Sequence, residues 1–293
     1  MKIRILLYVL LIFVSGLQSP LLSAWGRLGH AAVAQVAENH LSKKARKVLD
    51  KYLEGQSIVA IASDADTYRG QWTMDMGFLP SNPDEARVPW LKTFDFSTPG
   101  NIAPYSHMIT VDSSFKSFKT DNLEGEYINN IAYYVDRLAS ALKDDAAGMD
   151  PYERFKAIAL IVHFIGDMHC PAHIVYRPDN ALKGKFKVWW SGEQQSLHGI
   201  WDKGLFNACG LWSFCDVTLL ADTCDKREIS DIVKGNVYDY AGDSAAACWS
   251  VVSSCAPGDT LPQSYATDMR PLLFSQIRNA GYRLASVLNE IFN

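Results

Sequence analysis

The chain has 293 residues, 28 Lys and Arg against 32 Asp and Glu, and a formal charge of −4. That acidic balance excludes a generic electrostatic nucleic-acid binder, so any phosphate chemistry needs local Arg and Lys or bound metal. The length fits one large domain, and no Pro/Ser/Gly linker or internal repeat divides it.

Lys2 and Arg4, the apolar run Ile5 to Val14 and small Ser23-Ala24 read as a cleaved secretory leader, residues 1–24. The alternative is an uncleaved anchor, but Ser15, Gly16 and Pro20 make the run short for a span. The expectation is an exported protein, periplasmic or secreted and not membrane-bound, with residues 25–293 forming one domain.

Apolar residues at helical spacing recur over Ala31–Leu53, Glu126–Leu142, Tyr152–Ile165 and Pro271–Phe292. Gly70 to Tyr105 is rich in Trp, Pro and Asn and reads as a long irregular segment. Phe186 to Trp190 followed by Ser-Gly suggests a small hairpin. The fold class is therefore mainly α, a single-domain helical bundle-like fold with a small hairpin and long loops. The six cysteines all lie at or after Cys170. An even count in an exported chain suggests disulfides, with Cys209–Cys215 and Cys248–Cys255 close enough in sequence to staple loops.

The chemistry concentrates in His163-Phe164-Ile165-Gly166-Asp167-Met168-His169-Cys170-Pro171-Ala172-His173 and Leu197-His198-Gly199-Ile200-Trp201-Asp202. These segments hold four of only seven histidines. His163 with Asp167, and His198 with Asp202, are four apart, which puts each pair on one helix face. One such pair alone is usually a helix-surface contact. Two pairs plus His173, which follows the helix-ending Pro171, point to metal.

Upstream stand Trp25-Gly26-Arg27-Leu28-Gly29-His30, then Ser63-Asp64-Ala65-Asp66-Thr67-Tyr68-Arg69, then Pro104-Tyr105-Ser106-His107. In this order, with the two later clusters, they resemble the zinc-dependent single-strand-specific nucleases of fungi, plants and bacteria, the nuclease S-one/P-one family. That family runs Trp-Gly-x-x-Gly-His, Ala-Asp-x-x-Arg, His before an apolar pair, His-Phe-x-Gly-Asp-x-x-x-Pro-x-His and Leu-His-x-x-Trp-Asp. The resemblance spans residues 25–202. It implies the fold of zinc phospholipases C and single-strand nucleases, and three Zn²⁺ per chain. Asp66, His107, His163 and Asp167 would hold the first ion. His173, His198 and Asp202 would hold the second. Trp25, through its free α-amine and carbonyl, would hold the third with His30 and Asp167, which then bridges two ions.

The activity implied is hydrolysis of phosphodiesters in single-stranded DNA or RNA to 5′-phosphate products, with 3′-nucleotidase activity. Zinc activates the attacking water. Asp66 belongs to that catalytic constellation, and Arg69 is the candidate for stabilising charge on the phosphate. Single-stranded nucleic acid and 3′-nucleotides are the expected partners. No stable protein partner is implied, and the expected state is a monomer. The alternatives are a zinc phospholipase C-type phosphodiesterase, against which Asp202 stands where those enzymes have Glu, and a non-catalytic zinc-binding envelope protein.

The match departs at the substrate wall. Asp64 stands where the family has Trp, Met108 where it has a base-stacking aromatic, and Thr110 where some members have an acidic base-binding residue. Asp64, Met108 and Thr110 are thus the substrate-contact candidates, with Trp72 or Trp90 as replacement stacking platforms. Ser196 replaces an Asn common before the Leu-His pair. His169 lies off the ligand pattern and reads as partly exposed. His40 reads as an ordinary helix residue; Cys170 sits among ligands, but the pattern does not require it, and no metal bond from it is expected.

Overall fold

The computed structural model describes residues 25–68, 72, 107–117, 122–123, 126–127, 131–176 and 186–293. It is mainly helical, as the periodicity requires. The first helices are α1 (Gly26–Asn39), α2 (Lys43–Tyr52), α3 (Ile58–Ile61) and α4 (Asp64–Thr67). Strands β1 (Ile109–Val111), β2 (Asn122–Leu123) and β3 (Glu126–Tyr127) follow, then α5 (Ile131–Asp145) and α6 (Pro151–Met168). A 3₁₀ turn at Pro171–His173 leads into β4 (Ile174–Tyr176), and the hairpin is β5 (Lys187–Trp190) with β6 (Glu193–Ser196). The chain continues through α7 (Leu197–Gly199), a π-helical turn Ile200–Gly204, α8 (Leu205–Ala208), α9 (Phe214–Ala221), α10 (Lys226–Ile232), α11 (Val237–Ser253) and α12 (Tyr265–Phe292). No described helix is long and apolar enough to cross a membrane.

Three boundaries differ from the periodic pattern. The run from Ala31 to Leu53 is two helices, because Ser42 takes extended backbone and its Oγ accepts from Ala45 N–H, starting α2 afresh. His40 caps the end of α1; its ring meets Asp222 Oδ1 at 2.8 Å, so it is more than an ordinary helix residue. The last helix begins before Pro271, at Tyr265, which is buried and whose hydroxyl accepts from Trp201 Nε1. Tertiary burial there outweighs the cost of an internal proline. The helix expected from Glu126 starts at Ile131, since Glu126–Tyr127 pairs with Asn122–Leu123.

The core helix is α6. Asp150 caps its start, accepting from Tyr152 and Glu153 N–H, with Pro151 at the first helical position. From Lys156 to Met168 every residue is buried. A helix apolar on all sides has to be enclosed, and α1, α5 and α12 are among the helices that pack on it. Against α1, Gly281 of α12 admits close approach: a Cβ there would meet Val36 Cβ at 2.4 Å. Two short pairings complete the frame. Strands β1 and β4 run parallel, Ile109 opposite Ile174, while β5 and β6 form the expected antiparallel hairpin. All six cysteines are free thiols, so neither suggested disulfide is formed. Cys209 Sγ instead reaches the Ala266 carbonyl and Cys255 Sγ the Val251 carbonyl.

Candidate metal centre

The helix-wide spacing of His163 and Asp167 does place both on one face of α6, at its buried C-terminal end. Two other segments deliver imidazoles to Asp167. From α1 comes His30, whose Nε2 lies 3.2 Å from Asp167 Oδ1. Ahead of β1 comes His107, whose Nδ1 is 2.7 Å from Asp167 Oδ2. His163 Nε2 lies 3.2 Å from that same oxygen and 3.1 Å from His107 Nδ1. From α4, Asp66 approaches His107 and His163 at 3.6 Å each. The His30 and His163 rings stack at 3.9 Å.

A second group forms where the 3₁₀ turn meets the π-helical turn. His173 Nε2 lies 3.9 Å from Asp202 Oδ1, and His198 Nε2 lies 2.9 Å from Asp202 Oδ2. Ser196 Oγ accepts from Gly199 N–H and so starts the turn that carries His198. A π turn widens the helix locally, as is frequent at functional sites, and here it carries Asp202.

Backbone carbonyls orient the imidazoles. His163 Nδ1 donates to Ala62 O, and His173 Nδ1 donates to His107 O. Each bond fixes the ring and turns Nε2 towards the carboxylates, the usual device for presenting a metal-ligating histidine.

The electrostatics of the two groups differ. Burial disfavours charge on His163, but Asp167 and Asp66 outweigh it and hold the imidazole at about 9. Burial likewise opposes ionisation of Asp167, yet His163, His173 and His107 keep it well below the carboxylate range. This group attracts positive charge strongly. In the second group burial wins: it takes His173 down to about 3 and lifts Asp202 to about 6. Asp64, half-buried beside the first group, is raised by burial against the pull of His163 and Arg27.

The donor set fits divalent ions. His30 Nδ1 and Nε2, Asp167 Oδ1, His173 Nε2, His198 Nδ1 and Asp202 Oδ2 are all buried without a hydrogen-bond partner. The close approaches of His30 to Asp167 and of His198 to Asp202 therefore bring atoms together without hydrogen-bond alignment. Buried polar atoms that converge unbonded are the arrangement expected of ligands around ions. Among the described residues, three sets bring potential ligand atoms within 4.8 Å of one another inside each set: His30, Asp66 and His163; His107, His163 and Asp167; Cys170, His173 and Asp202.

Over residues 25–293 the sequence matches the family described as S1/P1 Nuclease. The chain belongs to the S1/P1 nuclease family. It is 26% identical to Nuclease P1 of Penicillium citrinum, covering 91% of this chain and 97% of that protein. It is 24% identical to Endonuclease 2 of Arabidopsis thaliana, covering 94% and 92%. Nuclease S1 of Aspergillus oryzae (strain ATCC 42149 / RIB 40) matches at 26% identity, covering 91% of each. As an S1/P1 nuclease the chain is a hydrolase acting on nucleic acids.

Trp25, the family's leading residue, is fully buried. Its Nε1 donates to Gly166 O at 2.7 Å, and its ring packs edge-on against Trp201 and Phe206. Arg69 and Trp90 lie outside the described residues. Met108 and Thr110 are both buried, with Thr110 on β1, so neither offers an open face to a base. Trp72 is also buried, its ring stacked on Tyr68 and edge-on to Phe155. His169 is not partly exposed but wholly buried. Its Nδ1 donates to Ile165 O, and its Nε2 accepts from Arg283. Cys170, from which no metal bond was expected, lies with the second group, its Sγ 3.7 Å from Asp202 Oδ1. Its place between two ligand positions was the available signal.

Proposed function

We propose that this chain is a zinc-dependent endonuclease that cleaves single-stranded DNA and RNA to 5′-phosphate products and also acts as a 3′-nucleotidase. The observation that carries the reading is the divided carboxylate of Asp167, with His30 at Oδ1 and His107 and His163 at Oδ2. A wholly buried carboxylate facing imidazoles on both oxygens suits a bridge between two neighbouring ions.

Asp66, His107, His163 and Asp167 would hold one zinc, Trp25, His30 and Asp167 another, and His173, His198 and Asp202 a third. Bound zinc supplies Lewis acidity and lowers the pKa of water to about 7, so no side-chain base is required. The protein's part is orientation. Ala62 O and His107 O fix the rings of His163 and His173. Arg69 is assigned to the phosphate, and Asp64, half-buried beside the first group, to the wall around the substrate. The same reading makes residues 1–24 a cleaved leader and residues 25–293 one exported, monomeric catalytic domain.

The test is elemental analysis of the protein beginning at Trp25, paired with assays on single-stranded DNA, duplex DNA, RNA, 3′-nucleotides and phosphatidylcholine. The expected result is three zincs, preference for single strands, 5′-phosphate ends, and loss of activity on chelation. One zinc per chain, or turnover of phosphatidylcholine alone, would sink it.

A further inference from the structure

Cys170 follows α6 directly and precedes the 3₁₀ turn that carries His173. It is fully buried, and its Sγ faces the second ligand group. Sγ lies 3.7 Å from Asp202 Oδ1, and His173 Nε2 lies 3.9 Å from that same oxygen. His173 has spent Nδ1 on the His107 carbonyl, and its Nε2 is buried without a hydrogen-bond partner. An unbonded imidazole nitrogen, a carboxylate oxygen and a sulfur thus lie together in the buried interior.

The spacing is that of a coordination shell. With Zn–S about 2.3 Å and Zn–O about 2.0–2.2 Å at a tetrahedral angle, sulfur and oxygen stand roughly 3.6 Å apart. Burial and the Asp202 carboxylate push the Cys170 thiol well above its ordinary value, so only a bound cation would draw off its proton. A thiol hydrogen bond to Asp202 would account for the sulfur alone.

We propose that Cys170 is a protein ligand, through its thiolate, of the ion held by His173 and Asp202. The inference rests on the reading that this chain binds metal. It makes the second site chemically unlike the first, whose donors are all imidazole and carboxylate. One thiolate and one carboxylate cancel the formal charge of a divalent ion. The softer donor also favours zinc or cadmium over magnesium or calcium.

Zinc-edge X-ray absorption on the purified protein, after its zinc content is measured, separates the alternatives without a variant. A sulfur scatterer at about 2.3 Å is expected. In cobalt-substituted protein a near-ultraviolet thiolate-to-cobalt band should appear, persist in Cys209→Ser and vanish in Cys170→Ser. Bound zinc with only nitrogen and oxygen neighbours overturns the Cys170 assignment and leaves the metalloenzyme reading standing. A correctly processed protein that binds no metal overturns both. If Cys170→Ser does not fold, the absorption spectrum of the unmodified protein still shows whether sulfur is bound.

Discussion

Gly166 lies on α6 one residue before Asp167, and replacing it with Ala tests how tightly His30 is held. An added Cβ would stand 2.7 Å from His30 Nδ1 and 3.0 Å from Cε1. The imidazole must retreat by roughly 0.8 Å or more to regain ordinary contact, beyond the ~0.5 Å that a ligand constellation tolerates. Its freedom is small, because it already stacks on His163 at 3.9 Å. Helix propensity alone would favour Ala by about 1 kcal/mol. Overpacking a closed site costs about 1–3 kcal/mol, and a boxed ring takes the upper part of that range. The expected net loss is about 1–2 kcal/mol, or about 2–4 °C in Tm per kcal/mol at this size. Thermal melts in chelator measure it, and elemental analysis should show the ion nearest His30 lost first. Adding His30→Ala should restore the stability lost to Gly166→Ala, since the clashing ring is gone. A Gly166→Ala protein with unchanged or higher Tm and full metal content would refute the reasoning.

An extension of a few residues ahead of Trp25 should remove one zinc and most activity; a tagged protein with three zincs and full turnover is the opposing result. Arg283→Met should cost about 2–3 kcal/mol in urea unfolding, because His169 Nε2 and the Ile232 carbonyl lose a buried donor; a loss below about 0.5 kcal/mol, the level of a surface substitution, would contradict it. Asp222→Asn probes the His40 anchor. Burial opposes ionisation of Asp222, but hydrogen bonds from Asn39, His40 and Tyr282 together hold its pKa below the usual carboxylate value. A lowered folded pKa stabilises above the unfolded value of about 3.9 and is lost as pH falls through the folded one. The gap in stability between wild type and Asp222→Asn should therefore be full near neutrality and close below about pH 4; a gap that widens in acid would reverse the assignment.

Much of the centre was legible because its ligands sit at helical and turn spacings. His163 with Asp167 and His198 with Asp202 are local pairs, so sequence distance alone predicts their geometry. Cys170 and His169 are adjacent, yet one faces the ligands and the other faces Arg283. Which way each points depends on where α6 ends and the 3₁₀ turn begins, and periodicity locates such ends poorly. The break at Ser42 was written in a capping residue but hidden by apolar spacing that continues across it. Substrate contacts were least legible. They depend on which side chains the folded wall leaves open, and the burial of Met108, Thr110 and Trp72 is set by long-range packing.

The short parallel pairing of β1 with β4 has a wide mechanical reach. Strands β1 and β4 share three residue pairs, and His107 and His173 stand just ahead of them, one at each strand entrance. A slip of one residue would displace one histidine against the other by about 3.3 Å and turn every side chain on the slipped strand to the opposite face. Both metal groups would then fail from a single error in register. These three rungs work as an alignment gauge between the two groups, and substitutions at Ile109 or Ile174 should disturb metal loading though neither residue carries a donor atom.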